Sequence, residues 1–361
     1  MTDSLNASHL PPTPFLAVDA AIVETNLAAM SDAAAARGLA LRPHAKTHKV
    51  VELAMRQIEL GAVGLTVATL GEAEVFAVAG VTDIFIAFPL WADEGKGARL
   101  RALAENITLT VGVDSAEGAR QLAATTAGAP IGVLVEVDSG HHRSGAAPAD
   151  AGALARAAAE AGLDVRGVFT FPGHGYGRGT QSSAAEDEAQ ALAVAVESLA
   201  VAGLKATVVS GGSTPTAAVA DAAILTEMRP GVYLFNDAQQ VEMGTCGWGD
   251  VALWAVATTV SRHGQHIIVD SGSKTLGADW PAWATGGGRL PDHPDARITA
   301  LSEHHATVKF PDGAALPDLG ELVRVVPNHV CAAVNLADEL MVMVDGAVAD
   351  TWQVAARGQN S

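Results

Sequence analysis

Short runs of β-branched and apolar residues recur along the first two thirds of the chain, and Ala-rich stretches of helical period follow them. The runs stand at 39–43, 64–69, 83–88, 107–113, 131–138, 165–171, 206–210 and 231–235. Between them, 72–80, 116–127, 147–162 and 184–203 are amphipathic and rich in good helix formers. Eight strand–helix units predict a (β/α)8 TIM-type barrel, an α/β fold. A doubly wound open sheet is the alternative, because alternation does not by itself prove closure. Beyond about residue 240 the rhythm changes. The segments 251–260, 266–269, 322–326 and 340–344 alternate apolar and polar positions, with turns at 262–264, 311–313 and 345–346. This predicts a following antiparallel β domain. The run 14–19 has no barrel partner and is assigned to that domain, giving a barrel over 20–240 and a β domain over 241–361 plus 14–19. The Gly-, Pro- and Asp-rich stretch 278–296 reads as an insertion loop.

Composition narrows the function. The 361 residues carry a formal net charge of −18, which argues against a nucleic-acid partner held by phosphate contacts. Hydrophobic residues make up 49% and charged residues 17%, so the chain buries a core and is no disordered acidic tail. Two cysteines, Cys246 and Cys331, cannot build a disulfide framework and fit a reducing compartment. The N-terminal stretch has no basic region followed by an apolar run, and later apolar runs are interrupted by Gly or charge. A cytoplasmic protein with no membrane partner is expected.

Barrel active sites lie where the strands end, so the polar residues just after each run are the candidates. After the first run comes Arg42-Pro43-His44-Ala45-Lys46-Thr47-His48-Lys49; after the fifth, Asp138-Ser139-Gly140-His141-His142-Arg143; after the sixth, Gly173-His174-Gly175-Tyr176. A lysine such as Lys46 is either a Schiff-base nucleophile or a solvated charge. Ser210-Gly211-Gly212-Ser213-Thr214 follows the seventh run. It is either a cradle for a compact cofactor phosphate or an ordinary Gly-rich turn, and it lacks the lysine of a nucleotide-binding loop. In Pro327-Asn328-His329-Val330-Cys331, a strand would place His329 and Cys331 on one face, where imidazole and thiolate can share an open metal site of zinc type. A core cysteine beside a satisfied histidine is the other reading. No Ser-centred nucleophile motif and no paired-carboxylate site is evident.

The lysine segment Arg42 to Lys49 resembles the cofactor-lysine motif of the fold-type III pyridoxal-phosphate enzymes, in the D-serine dehydratase and D-threonine aldolase group. Further matches follow in order along nearly the whole chain: Val67 to Glu74, Val137-Asp138-Ser139-Gly140 with Arg143-Ser144-Gly145, Gly212-Ser213-Thr214-Pro215, Pro230-Gly231-Val232-Tyr233 and Pro327 to Cys331. The resemblance implies an alanine-racemase-like barrel followed by a β domain, and a homodimer in which one β domain faces the other chain's barrel mouth. It further implies that Lys46 binds pyridoxal 5'-phosphate as a Schiff base, that Arg143 meets the phenolic oxygen and that Tyr176 approaches the ring. Gly212, Ser213, Thr214, Tyr233 and Asn236 would surround the phosphate. His329 and Cys331 would hold a divalent metal, zinc or manganese.

The alanine-racemase branch uses a second tyrosine from its β domain, whereas the two tyrosines here, Tyr176 and Tyr233, fall in the barrel, so racemisation is disfavoured. Within the group His-x-Cys resembles the dehydratases and His-x-Asp the aldolases. The expected activity is therefore that of a metal-activated lyase converting D-serine-like 3-hydroxy amino acids to a keto acid and ammonia. D-threonine aldolase-type cleavage to glycine and an aldehyde is the alternative, with His174 or His305 as the further base. The chain departs from the group at Gly140-His141-His142, which leaves room for a bulkier or acidic β-substituent. A non-catalytic cofactor carrier would need neither His329 nor Cys331.

Overall fold

The computed structural model describes residues 10–361. The N-terminal stretch read as carrying no signal begins at Met1, and its first nine residues lie outside those described. Among the described residues, sixteen strands form two sheets of eight. After β1 (Phe15–Asp19), eight parallel strands follow: β2 (Ala40–Leu41), β3 (Leu65–Val67), β4 (Asp83–Pro89), β5 (Thr108–Val113), β6 (Ile131–Glu136), β7 (Asp164–Phe169), β8 (Val208–Gly211) and β9 (Glu227–Met228). Their order is β2-β9-β8-β7-β6-β5-β4-β3. The ring closes where His44 bridges Thr66, and Thr66 N donates to Pro43 O at 2.8 Å. Strand runs buried on both faces and joined by helices are what a closed parallel barrel requires.

Seven of the eight expected barrel strands stand at their places. The eighth does not. Residues Val232–Leu234 form a 3-10 turn, and the strand is the two-residue Glu227–Met228 before Pro230. A short, fully buried apolar run has no periodicity that separates strand from helical turn, which is why this stretch misleads.

The second sheet contains β10 (Leu253–His263), β11 (His266–Val269), β12 (Arg297–Leu301), β13 (Ala306–Lys309), β14 (Leu322–Val325), β15 (Glu339–Val344) and β16 (Ala347–Gln353), together with β1. Its main path is β12-β13-β11-β10-β1-β15-β16, with β14 beside β10. All pairs are antiparallel except β1 with β15, so the expected antiparallel sheet carries one parallel joint. The stretch between Gly277 and Ala296 is irregular apart from one bridge between Arg289 and Val326. By contact, one compact unit is Met30–Lys46, Leu53–Gly231 and Gly358–Ser361. The other is Met1–Ala29, Thr47–Glu52 and Val232–Arg357.

The barrel interior is part apolar, part ionic. Phe85 and Phe169 meet edge to face at 5.0 Å beside Leu134. The Arg42 guanidinium donates to Asp83 Oδ1 at 2.6 Å and to Glu227 Oε2 at 2.7 Å, tying β9 and β4 to the end of β2. A bulge in β7 turns Arg166 toward Thr110 Oγ1, 2.7 Å away. Gly167 follows at φ +150, and a Cβ there would stand 1.9 Å from Val208 O. Both the dihedral and the space demand glycine. Gly167→Ala is expected to lower the unfolding free energy by about 2 kcal/mol, as overpacking does, measured by urea denaturation.

Candidate functional site

In the barrel unit the loops after β2, β6 and β7 converge on one ring, Phe171. Lys46 sits in the single 3-10 turn Ala45–Thr47 and holds Nζ 5.6 Å from the Phe171 centroid. Arg143 holds Cζ 5.2 Å from the same centroid, His141 meets the ring edge-on at 5.5 Å, and Tyr176 packs on it at 6.1 Å. Lys46, Arg143 and Tyr176 are thus brought together. Two cations close to one aromatic face gain from its quadrupole.

Asp138 shapes the Arg143 loop. Its Oδ1 accepts from the N–H groups of Gly140 (2.9 Å) and His142 (3.0 Å), and its Oδ2 lies 2.6 Å from His142 Nδ1. Partial burial works against the charge of Asp138, but these bonds outweigh it and its pKa falls below the ordinary value. His142 is thereby turned outward, 81% exposed, and its neighbours His141 and Arg143 turn to Phe171. His141 is held below the usual histidine range by burial first and then by the Arg143 charge and His174. Its ring fits because residue 173 is glycine: a Cβ there would stand 2.6 Å from the imidazole. His174 occupies the next turn, with Nε2 3.2 Å from Asp187 Oδ2.

The Gly-Gly stretch closes β8. Gly212 N donates to Glu188 Oε1 at 2.7 Å, and Ser213 N to Thr216 Oγ1 at 3.0 Å. Ser213 is buried and Thr214 half-buried in the same loop. Beneath it, Arg229 donates to Ser210 Oγ and to Thr170 O, both at 2.5 Å, with its guanidinium over Phe85 and Phe169. Complete burial brings the Arg229 pKa down to about 10, opposed by Glu227, Glu188 and Glu136. Burial pushes the Glu188 carboxyl up to about 7, against the pull of the Gly212 N–H and Arg229.

The other unit carries the remaining candidates. Tyr233 is buried in its 3-10 turn, and Asn236 is buried at φ 51 with Nδ2 donating to Asp250 O at 3.0 Å. His329 and Cys331 do not lie on a strand. His329 is extended and stands immediately before the helix Val330–Leu336, and Cys331 is in that helix's first turn. The change from extended to helical backbone, not a strand's alternation, lets imidazole and thiol meet in a hydrogen bond. Asp237 Oδ2 lies 3.5 Å from His329 Nδ1 and accepts from Val330 N at 3.1 Å. Burial opposes the His329 charge, but Cys331 and Asp237 outweigh it and raise its pKa well above the usual value. A carboxylate on one ring nitrogen and a thiol at hand is the donor set of a metal-binding histidine with its orienting partner. No group of three or more His, Cys, Asp or Glu suited to a metal occurs among the described residues. Two side chains alone do not make up a closed structural site. His305 lies in the exposed turn between β12 and β13.

Residues 18–239 match the model "Alanine racemase, N-terminal domain" and residues 252–343 the model "Putative serine dehydratase domain". The chain belongs to the alanine-racemase-like, fold-type III pyridoxal-phosphate enzymes. A D-threonine aldolase of Arthrobacter sp. is 36% identical over 96% of this chain and 93% of its own. A D-threo-3-hydroxyaspartate dehydratase of Delftia sp. is 34% identical over 94% and 96%. Among solved structures, the D-threonine aldolase from Filomicrobium marinum superposes with a TM-score of 0.88 at 32% identity, covering 96% of both chains. The Delftia dehydratase has been solved with a histidine replaced by alanine, and with a cysteine two positions further on replaced by alanine in a metal-free form. The latter superposes with a TM-score of 0.86 at 32% identity, over 95% of this chain and 97% of that one. The D-threonine aldolase and the D-threo-3-hydroxyaspartate dehydratase, which match 96% and 94% of the chain, are by name lyases of D-3-hydroxy amino acids.

Sequence reasoning missed Phe171, Arg229 and Glu188. Phe171 was legible only as the last residue of an apolar run. Glu188 lies within the helix Gln181–Val201, where a single buried acid among solvated ones carries no signal. Because folding raises the Glu188 pKa from 4.5 to about 7, the folded state holds the proton more tightly than the unfolded chain. Stability from this group is full below pH 4.5 and is lost as the pH rises to 7. Relative to Glu188→Gln, the wild type is expected to lose up to roughly 3 kcal/mol between pH 5 and 8, followed by urea denaturation.

Proposed function

We propose that this protein is a metal-activated pyridoxal-phosphate lyase that dehydrates D-3-hydroxy amino acids to a 2-keto acid and ammonia. The observation that carries the reading is the His329–Cys331 pair. The imidazole and thiol touch, and an orienting carboxylate stands behind the histidine. A His-x-Cys spacing is the one at which the Delftia dehydratase was altered, its cysteine variant being described in a metal-free form.

The barrel residues fit the cofactor. Lys46 and Arg143 present two cations at one aromatic ring, a donor set suited to a dianionic, phenolate-bearing cofactor. In this reading Lys46 would hold the cofactor, Arg143 would meet its phenolic oxygen and Tyr176 would approach its ring. Gly212, Ser213, Thr214, Tyr233 and Asn236 are assigned to its phosphate. When bound, pyridoxal phosphate supplies an electron sink for the pair left at Cα, and a divalent zinc or manganese supplies a Lewis acid for the β-hydroxyl. The Lys46 amine would be the base that accepts the Cα proton. His329 and Cys331 would hold that metal. His174, ordered by Asp187, is the candidate for the further proton transfer; His305 is the second candidate. The barrel unit is assigned to 20–240 and the metal-bearing unit to 241–361 with 14–19, in a cytoplasmic homodimer.

Retro-aldol cleavage to glycine and an aldehyde is the second reading, favoured by the likeness to D-threonine aldolases. Product analysis with D-serine, D-threonine and D-3-hydroxyaspartate separates the two. Keto acid plus ammonia is expected, and glycine plus aldehyde would replace dehydration by cleavage. Lys46→Ala is expected to abolish the yellow colour of the loaded protein. Cys331→Ala is expected to keep the colour and lose at least about tenfold of metal-dependent turnover. Light scattering on a sizing column is expected to report a dimer, and a monomer would remove that assignment.

A further inference from the structure

Two residues just past the cofactor lysine grip the helix that bears Cys331. Thr47, fully buried, places Oγ1 3.2 Å from Cys331 Sγ. Lys49, 5% exposed, donates from Nζ to Asn335 Oδ1 at 2.7 Å. Cys331 and Asn335 are four apart on the helix Val330–Leu336, so they lie on one face, one turn from each other. Thr47 and Lys49 thus engage that face at two successive points. Lys49 does so at φ 55, a left-handed backbone that a lysine adopts only when its surroundings hold it there. Its carbonyl accepts from Ala356 N at 3.1 Å, which fixes the loop from a second direction. Neither the buried Lys49 ammonium nor the Thr47 hydroxyl has a part in the chemistry assigned above.

We propose that Thr47 is a positioning residue for the metal-binding sulfur of Cys331, and that Thr47 and Lys49 together tie the metal-bearing helix to the turn carrying Lys46. The inference rests on the reading of His329 and Cys331 as the metal pair and of Lys46 as the cofactor lysine. A hydroxyl beside a metal-bound thiolate donates to sulfur, limits its rotation and sets its direction. Thr47 is also the last residue of the turn Ala45–Thr47, adjacent in the chain to Lys46. A change in the sulfur's position is thereby felt in the turn from which the lysine projects, and by linkage the reverse also holds.

The test uses cofactor-loaded full-length protein, stripped of metal and titrated with zinc against a chromophoric chelator. Wild type, Thr47→Val, Thr47→Ser, Asn335→Ala and His329→Ala are compared. Thr47→Val is expected to weaken zinc affinity by about tenfold, Thr47→Ser to restore it to within about threefold, and Asn335→Ala to fall between. The second readout is the rate at which borohydride bleaches the visible cofactor band. Zinc is expected to change that rate at least about twofold in the wild type and not in Thr47→Val. Zinc affinity in Thr47→Val equal to wild type would overturn the role of Thr47 alone. Bleaching indifferent to zinc in the wild type would overturn the tie to Lys46. Wild type binding zinc no better than His329→Ala would overturn the metal reading, and the inference with it. Should Thr47→Val not fold, Thr47→Ser and Asn335→Ala decide, since affinities equal to wild type in both would remove the proposal.

Discussion

A guanidinium with almost no water around it organises the barrel. Arg229 is 6% exposed and lies above the Phe85 and Phe169 rings. An isolated charge in such a place would be prohibitively unstable, so its surroundings are constrained. One arm of Arg229 fixes the carbonyl at the end of β7 and the other fixes Ser210 on β8, whose hydroxyl in turn donates to Glu227 at 2.6 Å. Glu227 also receives Arg42 from the end of β2. Three strand ends that feed the candidate site are thus joined by one chain of charge and hydroxyl. Glu188 belongs to the same field, which is how a helix carboxylate comes to hold the Gly212 amide.

The loops raised on this base divide the chemistry by charge type. Around Phe171 stand two cations, a histidine and a tyrosine, in an acidic protein of net charge −18. The overall charge therefore says little about the site, where Lys46 and Arg143 place two cations at one ring. His329 and Cys331 belong to softer chemistry, imidazole and sulfur, with a carboxylate behind the histidine.

The barrel was legible because buried parallel strands of four to seven residues leave continuous apolar runs. Glu227–Met228 left none: it is two residues long and half of it is a charged side chain whose partner, Arg42, is nearly two hundred positions away. Lys46, Arg143 and Tyr176 were found because each follows a strand, and polar residues at strand ends stand out. Arg229 hides for the opposite reason. It follows a strand too short to be seen, and its role depends on partners from six separate elements. His329 and Cys331 were picked out by spacing, yet the strand invoked to bring them together is a helix start, because i and i+2 can converge where the backbone changes from extended to helical. The β domain was legible by alternation, but alternation cannot reveal strand direction, and the parallel β1–β15 joint went unseen.

That joint bears on how separable the two halves of the chain are. β1 sits between β10 and β15, pairing Phe15–Val18 with Leu253–Val256 and Ala17–Asp19 with Met341–Met343. The entire barrel is synthesised between β1 and the neighbours it needs. Both edges of β1 must wait unpaired on the ribosome while more than two hundred residues emerge and close upon themselves. The C-terminal segment is correspondingly not a cassette. Expressed alone it would lack an interior strand and expose two adhesive edges, so it is a poor unit for domain exchange, whereas a permuted chain that leads β1 directly into β10 would make it one.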